Sequence, residues 1–211
     1  MKMKRPTKEN IEAARYIRHE LMTLKHSDTL LYNEFRRLDK NVNRLEVEHK
    51  VSILDYLYGC KLTRNILHTN AAGVIVNAEI DDDLRNGNPV ELVERIAMLS
   101  GPKRGKQRRS NIGKVFASKY CHFHAPDRFP IYDQYARRGL IDLLDREVGE
   151  RDYCQMKQGV DELISATDFN YKKIDEYLWL YGQLLCHQSG EKKIPLVIMN
   201  MEKFLELIPP E

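Results

Sequence analysis

The chain has 211 residues, which is enough for one well-packed core or for two small helical lobes. Hydrophobic residues make up 42% and charged residues 31%, a balance that excludes a disordered chain and is typical of a globular protein. The net charge of +3 is too small to predict nucleic-acid binding by itself. No apolar run approaches the roughly 20 residues of a membrane span, so we expect no membrane association.

The cysteines of the chain stand far apart and form no Cys-x-x-Cys pair; they are Cys60, Cys121, Cys154 and Cys186. This spacing argues against a zinc site and against an iron–sulfur cluster, which needs clustered thiolates, so we expect no metal and no cofactor. The N-terminal residues are basic and lead into a polar stretch rather than an apolar signal region. These features predict a cytoplasmic protein with reduced thiols.

Helical periodicity dominates the chain, and the predicted class is all-α. Helices are predicted at residues 11–25, 30–38, 47–58, 62–76, 90–99, 112–124, from 134, 153–164 and 171–185. Gly59 is placed to end the third helix, and the acidic run 81–83 is interpreted as a solvated loop. Residues 196–199 are predicted as a short strand or a buried extension, before a last helical turn near Phe204. The cluster of Tyr177, Trp179 and Tyr181 is interpreted as core and helix-surface packing.

The densest basic run lies in a stretch from residue 95 to residue 126 that contains no acidic residue. Its loop residues are Lys103, Arg104, Lys106, Arg108 and Arg109. Such segregation can create a local anion-binding surface on a nearly neutral protein. The alternative is a solvated basic loop without a partner.

Lys114 and Asp133 form the most informative pair. A helix over 112–124 is about 20 Å long, and an extended segment over 125–132 spans at most about 26 Å. Because Pro126 and Pro130 disfavour helix there, the segment can return along the helix and deliver Asp133 near Lys114. Asp133 also precedes the next predicted helix, where a carboxylate is favoured as an N-cap. Taken alone, Asp133 is more simply interpreted as that cap.

Two stretches resemble the helix-hairpin-helix DNA glycosylase superfamily, which includes endonuclease III and 8-oxoguanine DNA glycosylase. They are Gly113-Lys-Val-Phe-Ala-Ser-Lys-Tyr and Phe129-Pro-Ile-Tyr-Asp-Gln-Tyr-Ala-Arg-Arg. The resemblance extends to an uncharacterised bacterial branch with a later Leu-Trp-x-Tyr-Gly segment, here at residues 178–182. It implies one glycosylase-like helical unit over 1–211, with the hairpin and catalytic aspartate in 90–140. The family hairpin reads Leu-Pro-Gly-x-Gly, whereas this chain carries a longer basic insertion between Leu99 and Gly113.

On the family pattern, Lys114 matches the lysine nucleophile and Asp133 the catalytic aspartate, with Arg137 one turn beyond as a DNA contact. The implied reaction cleaves the N-glycosidic bond of a modified base in duplex DNA. The carboxylate stabilises the sugar cation, and the lysine can form a Schiff base that permits strand cleavage. Lys119 is a second candidate for the functional lysine. It lies about 140° around the same helix from Lys114, so the two lysines cannot share one role. Lys119 is equally interpreted as a buried structural lysine paired to a carboxylate.

An everted base needs an aromatic pocket, for which the candidates are Phe129, Tyr132 and Tyr135, although Phe129 and Tyr132 are more often core residues. Cys121-His-Phe-His124 is interpreted as core and satisfied histidines rather than metal ligands. Two alternatives to an active glycosylase stay open. One is a DNA-binding module of the same fold that has lost catalysis, and the other is a helical interaction protein with a basic docking loop. The lesion and the oligomeric state are not predicted.

Overall fold

A computed structural model describes residues 3–20, 22–60, 62, 68–100, 110–150, 152–190 and 201–210. Within these ranges the secondary structure is entirely helical, which confirms the all-α prediction. The helices are α1 (Lys8–Glu20), α2 (Met22–Arg37), α3 (Arg44–Tyr58), α4 (His68–Asn77), α5 (Asp81–Asn86), α6 (Pro89–Ser100), α7 (Ser110–His124), α8 (Gln134–Leu144), α9 (Tyr153–Thr167), α10 (Tyr171–Gln188) and α11 (Met201–Leu205). None of the helices described is long and apolar enough to cross a membrane.

The chain divides into two compact units. The first unit combines residues 1–25 with residues 132–211, and the second contains residues 26–131. The first therefore holds α1 and α8 to α11, and the second holds most of α2 with α3 to α7. Whether the two act as one glycosylase-like body stays a prediction.

The second unit is built around α3 and the α6–α7 pair. Asn43 caps α3 by accepting hydrogen bonds from the amides of Leu45 and Glu46. Gly59 ends α3 in the left-handed conformation, as predicted from its position. Phe35 and Tyr120 meet edge to face with centroids 5.3 Å apart, both fully buried in the core.

The first unit is built around α8 and α10, with α1, α9 and α11 packed on them. The predicted core role of Tyr177 and Tyr181 is confirmed, because their buried rings stack with centroids 5.5 Å apart. The Tyr177 hydroxyl donates to the Leu207 carbonyl at 2.8 Å, which fixes the segment after α11 on α10. Arg18 of α1 lies over the Trp179 ring, 6.0 Å from its centroid.

Two local predictions are wrong. Residues 26–29 were expected to separate two helices, but α2 runs through them, and buried Asp28 accepts a hydrogen bond from the Tyr58 hydroxyl. The acidic run expected as a solvated loop instead begins α5. The Asp81 carboxylate accepts from the Asn41 backbone amide and side chain, which holds this acidic helix start against the α2–α3 connection. The predicted strand at 196–199 lies outside the described residues.

Candidate functional site

Helices α6 and α7 pack closely at Gly113. A Cβ atom at Gly113 would lie 2.5 Å from the Ala97 carbonyl oxygen, a distance that real Cβ atoms do not reach. Only a glycine therefore permits this approach between the two backbones. The packing sets the position of the next residue, Lys114, near the start of α7.

Lys114 crosses from α7 to α6 and pairs with Glu94, with Nζ 2.5 Å from Oε1. Its side chain is 14% exposed, so the pair lies at the edge of the interior. A lysine nucleophile attacks as the neutral amine. Attack on a sugar by Lys114 would therefore first require this ion pair to separate.

Lys119 lies on the buried side of α7, with 6% of its surface exposed. Its Nζ atom lies 5.1 Å from the centroid of the Tyr58 ring, which favours a cation–π contact. The hydroxyl of Tyr58 donates to Asp28 of α2. The predicted burial of Lys119 is confirmed, and the contact found is with an aromatic ring, while its role in chemistry stays a prediction.

Asp133 is the N-cap of α8, as predicted. Its backbone is extended, with φ −132° and ψ 147°, and Oδ1 accepts from the Tyr135 amide at 2.9 Å. One turn on, Arg137 donates from Nε to the Val148 carbonyl at 2.6 Å and so ties α8 to the loop that follows it. The capping bond fixes the orientation of the Asp133 carboxylate. The DNA contact of Arg137 stays a prediction.

Lys114 belongs to the second unit and Asp133 to the first. The expected proximity of the two side chains is therefore a relation between units and stays a prediction. The basic loop residues Lys103, Arg104, Lys106, Arg108 and Arg109 lie outside the described residues.

The three aromatic residues expected in a base pocket differ in exposure. Phe129 is fully buried, and the Arg128 guanidinium lies 5.5 Å from its ring centroid. Tyr132 is 5% exposed and donates its hydroxyl to the Glu150 carbonyl, whereas Tyr135 is partly exposed. Their contribution to a base pocket stays a prediction.

His122 and His124 at the end of α7 bond to protein groups, as interpreted from the sequence. The His122 Nδ1–H donates to the Phe129 carbonyl at 2.8 Å, and its Nε2 lies 2.7 Å from the Tyr32 hydroxyl. Burial lowers the pKa of His124 well below its ordinary value, and the charge of nearby Lys50 lowers it further. Neutral His124 thus presents Nε2 as an acceptor, 3.2 Å from the Lys50 amine.

The sequence did not predict the buried amine of Lys50. Lys50 has no exposed surface, and it donates to the carbonyls of Leu38 and Lys40 and to Asn41 Oδ1 at 2.8, 3.0 and 2.8 Å. Burial lowers its pKa to about 8, partly opposed by the Asp81 carboxylate. All of these contacts of the Lys50 amine are with groups of the protein itself, so we interpret Lys50 as a structural residue.

A second polar chain links α3 and α4. The Ser52 Oγ lies 3.0 Å from His68 Nδ1, and His68 Nε2 lies 2.9 Å from Asp55 Oδ2. The other oxygen, Oδ1 of Asp55, accepts from the Leu62 amide at 3.1 Å. Ser52 and Asp55 stand three residues apart on one helix, a spacing visible in the sequence, but nothing in the sequence places His68 between them.

A cleft of about 720 Å³ runs along α8 and α10 in the first unit. Its charged lining mixes cations and carboxylates, among them Lys4, Arg138, Asp142, Asp145 and Arg146. Lys4 donates to Asp142 at 3.1 Å, which neutralises part of that charge. Asp133 does not line this cleft.

Each of the two comparisons that found a match covers part of the chain. The family model HI_0787_N, described as an N-terminal domain, matches residues 10–128, more than half of the chain. An "Uncharacterized protein" of Haemophilus influenzae is 31% identical over 127 residues, covering 58% of this chain and 60% of that relative. The chain thus covers less than two thirds of that relative's length. No solved structure matches the chain significantly.

Proposed function

The chain belongs to the HI_0787_N family, and we propose that it is a DNA-binding protein that releases a modified base from duplex DNA. One observation carries the proposal: the carboxylate of Asp133 at the start of α8. Its Oδ1 is fixed by the Tyr135 amide, and among the described residues no hydrogen bond or ion pair engages Oδ2. An oriented carboxylate with one oxygen available is the group that stabilises a sugar cation.

The reaction breaks the bond between the sugar C1′ and the base nitrogen. As the base departs with the bonding electron pair, positive charge develops on the sugar, and the Asp133 carboxylate stabilises that charge. Water then adds to C1′ and gives up a proton, while the released base gains one. Because Lys114 is paired with Glu94, base release without a lyase step is the default route, and Schiff-base formation by Lys114 is a second route that begins with loss of the pair.

DNA binding is assigned to the basic stretch between α6 and α7 and to Arg137 at α8. The acid-free sequence from residue 95 to residue 126 supports this assignment, since a local excess of cations attracts phosphates. The free thiols of Cys60, Cys121, Cys154 and Cys186 fit a reducing compartment, and we place the protein in the cytoplasm.

The proposal is tested by base release from duplex oligonucleotides that each carry one lesion, such as uracil, 8-oxoguanine or 3-methyladenine. Asp133→Asn should lower release by about 100-fold or more, because it removes the negative charge. Its melting temperature should stay unchanged, since asparagine caps a helix as well as aspartate does. Asp152, the N-cap of α9, accepts from the Gln155 amide at 3.0 Å and offers a matched control. Asp152→Asn should release the base at the wild-type rate.

Equal activity of Asp133→Asn and wild type would refute the assigned role. If no lesion is released but duplex affinity falls steeply with salt, the protein is the catalytically inactive DNA-binding module. The Lys114–Glu94 pair fits that second function as well as base release without a lyase step, because it occupies the residue that matches the lysine nucleophile of the glycosylases that the chain resembles. Borohydride trapping on abasic duplex, compared with Lys114→Gln, tests the lyase route. Absence of salt-sensitive DNA binding would leave the helical interaction protein.

A further inference from the structure

The Ser52–His68–Asp55 chain lies entirely within the second unit, and none of its three residues is assigned a role in base release. It joins a hydroxyl, an imidazole and a carboxylate in sequence, at 3.0 and 2.9 Å. Both distances lie within hydrogen-bond reach of a nucleophile, a base and a group that orients the base. The order of the groups is the order that nucleophilic catalysis by serine requires.

The hydrogen bonds also fix which ring nitrogen of His68 carries the proton. The Asp55 carboxylate can only accept, so Nε2 of His68 donates to it. In the neutral ring, Nδ1 then holds a lone pair and accepts the Ser52 hydroxyl proton. The Leu62 amide bonds Asp55 Oδ1 and holds the carboxylate in this orientation. The imidazole is therefore set as a base toward Ser52.

The carboxylate is the least exposed of the three groups. The Asp55 side chain is 7% exposed, the His68 side chain is 23% exposed, and Ser52 is partly exposed. Leu45 and Tyr56 lie seven residues before and four residues after Ser52, on the same face of α3, and both are largely exposed. An apolar group bound against these two residues would lie on the same side of α3 as Ser52.

We propose that Ser52 is a nucleophile for acyl transfer, that His68 is its general base and that Asp55 is a positioning residue. The substrate class is a small ester with an apolar acyl or aryl group. Ser52 Oγ bonds to the carbonyl carbon while its proton passes to His68 Nδ1. The carbon–oxygen bond to the leaving group breaks, and the alcohol departs with the proton from His68. Water, deprotonated by His68, then cleaves the acyl–Ser52 ester and regenerates the hydroxyl.

The test measures labelling by a fluorophosphonate, which places a phosphonyl group on an activated serine and expels fluoride. Peptide mass spectrometry of the full chain compares Ser52 with Ser165, an exposed serine on α9 that serves as the control within the same molecule. Ser52 should react at least 100-fold faster than Ser165. Equal rates at the two serines would overturn the proposal, because a chain of hydrogen bonds with a structural role alone gives no such preference.

Two variants test separately the role of His68 as the general base and the role of Asp55 in orienting the His68 ring. His68→Ala should lose the preference for Ser52, and added imidazole should restore part of it, an effect that a structural role does not produce. Asp55→Asn should lower Ser52 labelling at least tenfold: with Leu62 N–H on the amide oxygen, the amide nitrogen donates to Nε2 and forces the proton onto Nδ1.

His49, an exposed histidine on the same helix that bonds Glu34, supplies the matched control: His49→Gln should label as wild type does. Thermal melts confirm folding of each variant. Should one fail to fold, the ratio of Ser52 to Ser165 labelling in the wild type still decides. Retention of the preference in folded His68→Ala without imidazole would overturn the role of the base.

Discussion

Each unit contains a helix crossing at which glycine lets two backbones approach closely, but the two crossings differ. In the first unit α8 and α10 interlock: a Cβ on Gly182 would lie 1.8 Å from the Tyr135 carbonyl oxygen, and one on Gly139 would lie 2.8 Å from the Leu178 carbonyl oxygen. In the second unit the crossing is one-sided, with Gly113 of α7 against Ala97 of α6. Backbone meets backbone in both.

The difference shows how the two proposed catalytic candidates are held. The helix that Asp133 caps is fixed to α10 by glycines on both helices, so its start has little freedom to shift. Lys114 comes directly after Gly113, the one glycine at the crossing of α6 and α7. It also forms an ion pair with Glu94 across that crossing. A partly exposed ion pair contributes little free energy, so packing at Gly113 positions α7.

The largest effect is expected at the reciprocal crossing. Gly182→Ala should lower the free energy of unfolding by about 3 kcal/mol or more, because the new methyl group overlaps a carbonyl oxygen and both helices must separate. Urea unfolding monitored by circular dichroism measures it. A loss within about 0.5 kcal/mol would show that the α8–α10 spacing is not set by Gly182.

The one-sided crossing should tolerate substitution better. Gly113→Ala should cost about 2 kcal/mol, since the new atom would lie 2.5 Å from the Ala97 carbonyl oxygen and one helix must move. Gly73 of α4 is the matched control, because the three atoms nearest to a Cβ there all belong to the Arg44 side chain, at 3.6 to 3.7 Å. Gly73→Ala should stabilise the protein by about 0.5 kcal/mol through helix propensity. Equal losses at both sites would contradict the argument from packing.

The sequence predicted those features that depend on neighbouring residues. The ends of α3 at Gly59 and the cap at Asp133 follow from local backbone chemistry, and both are confirmed. The apolar periodicity predicted most of the helices. The lack of apolar residues at 26–29 led to a wrong prediction of a break in the helix, because polar Asp28 is buried there and accepts a hydrogen bond from Tyr58.

The remaining features depend on partners that are distant in sequence. Lys50 looks like a solvated lysine until the 38–41 connection and the end of α7 supply its acceptors. The partners of His68 likewise cannot be predicted from its neighbours in sequence, because the packing of α4 on α3 places the ring beside Ser52 and Asp55. Periodicity reports which face of a helix is apolar, and it carries no information on which polar side chains meet across an interface.

The smallest expected effect is the pH dependence of the free energy of unfolding, in which the buried ionisable groups of the two units act in opposite directions. Burial lowers the pKa of Lys50 to about 8, whereas burial raises the pKa values of Tyr177 and Tyr181 in the first unit. Between pH 8 and about 10 the unfolded chain keeps a proton on Lys50 that the folded chain releases, so stability should rise, by on the order of 1 kcal/mol per pH unit. Above about pH 10 the tyrosines act in the opposite direction, because the unfolded chain loses their protons first.

Urea unfolding at pH 8, 9 and 10 measures the rise, and Lys50→Met should flatten it while leaving the buried acceptors without a donor. Lys40→Met, at an exposed lysine of the same connection, is the matched control and should keep the wild-type slope. Stability that falls between pH 8 and 10 in the wild type, or a slope unchanged in Lys50→Met, would mean that the amine keeps its proton in the folded chain. The hydrogen bonds from the Lys50 amine to its four acceptors would then stabilise the charged form by more than burial destabilises it. Lys50 would in that case stay charged in the folded protein across this pH range.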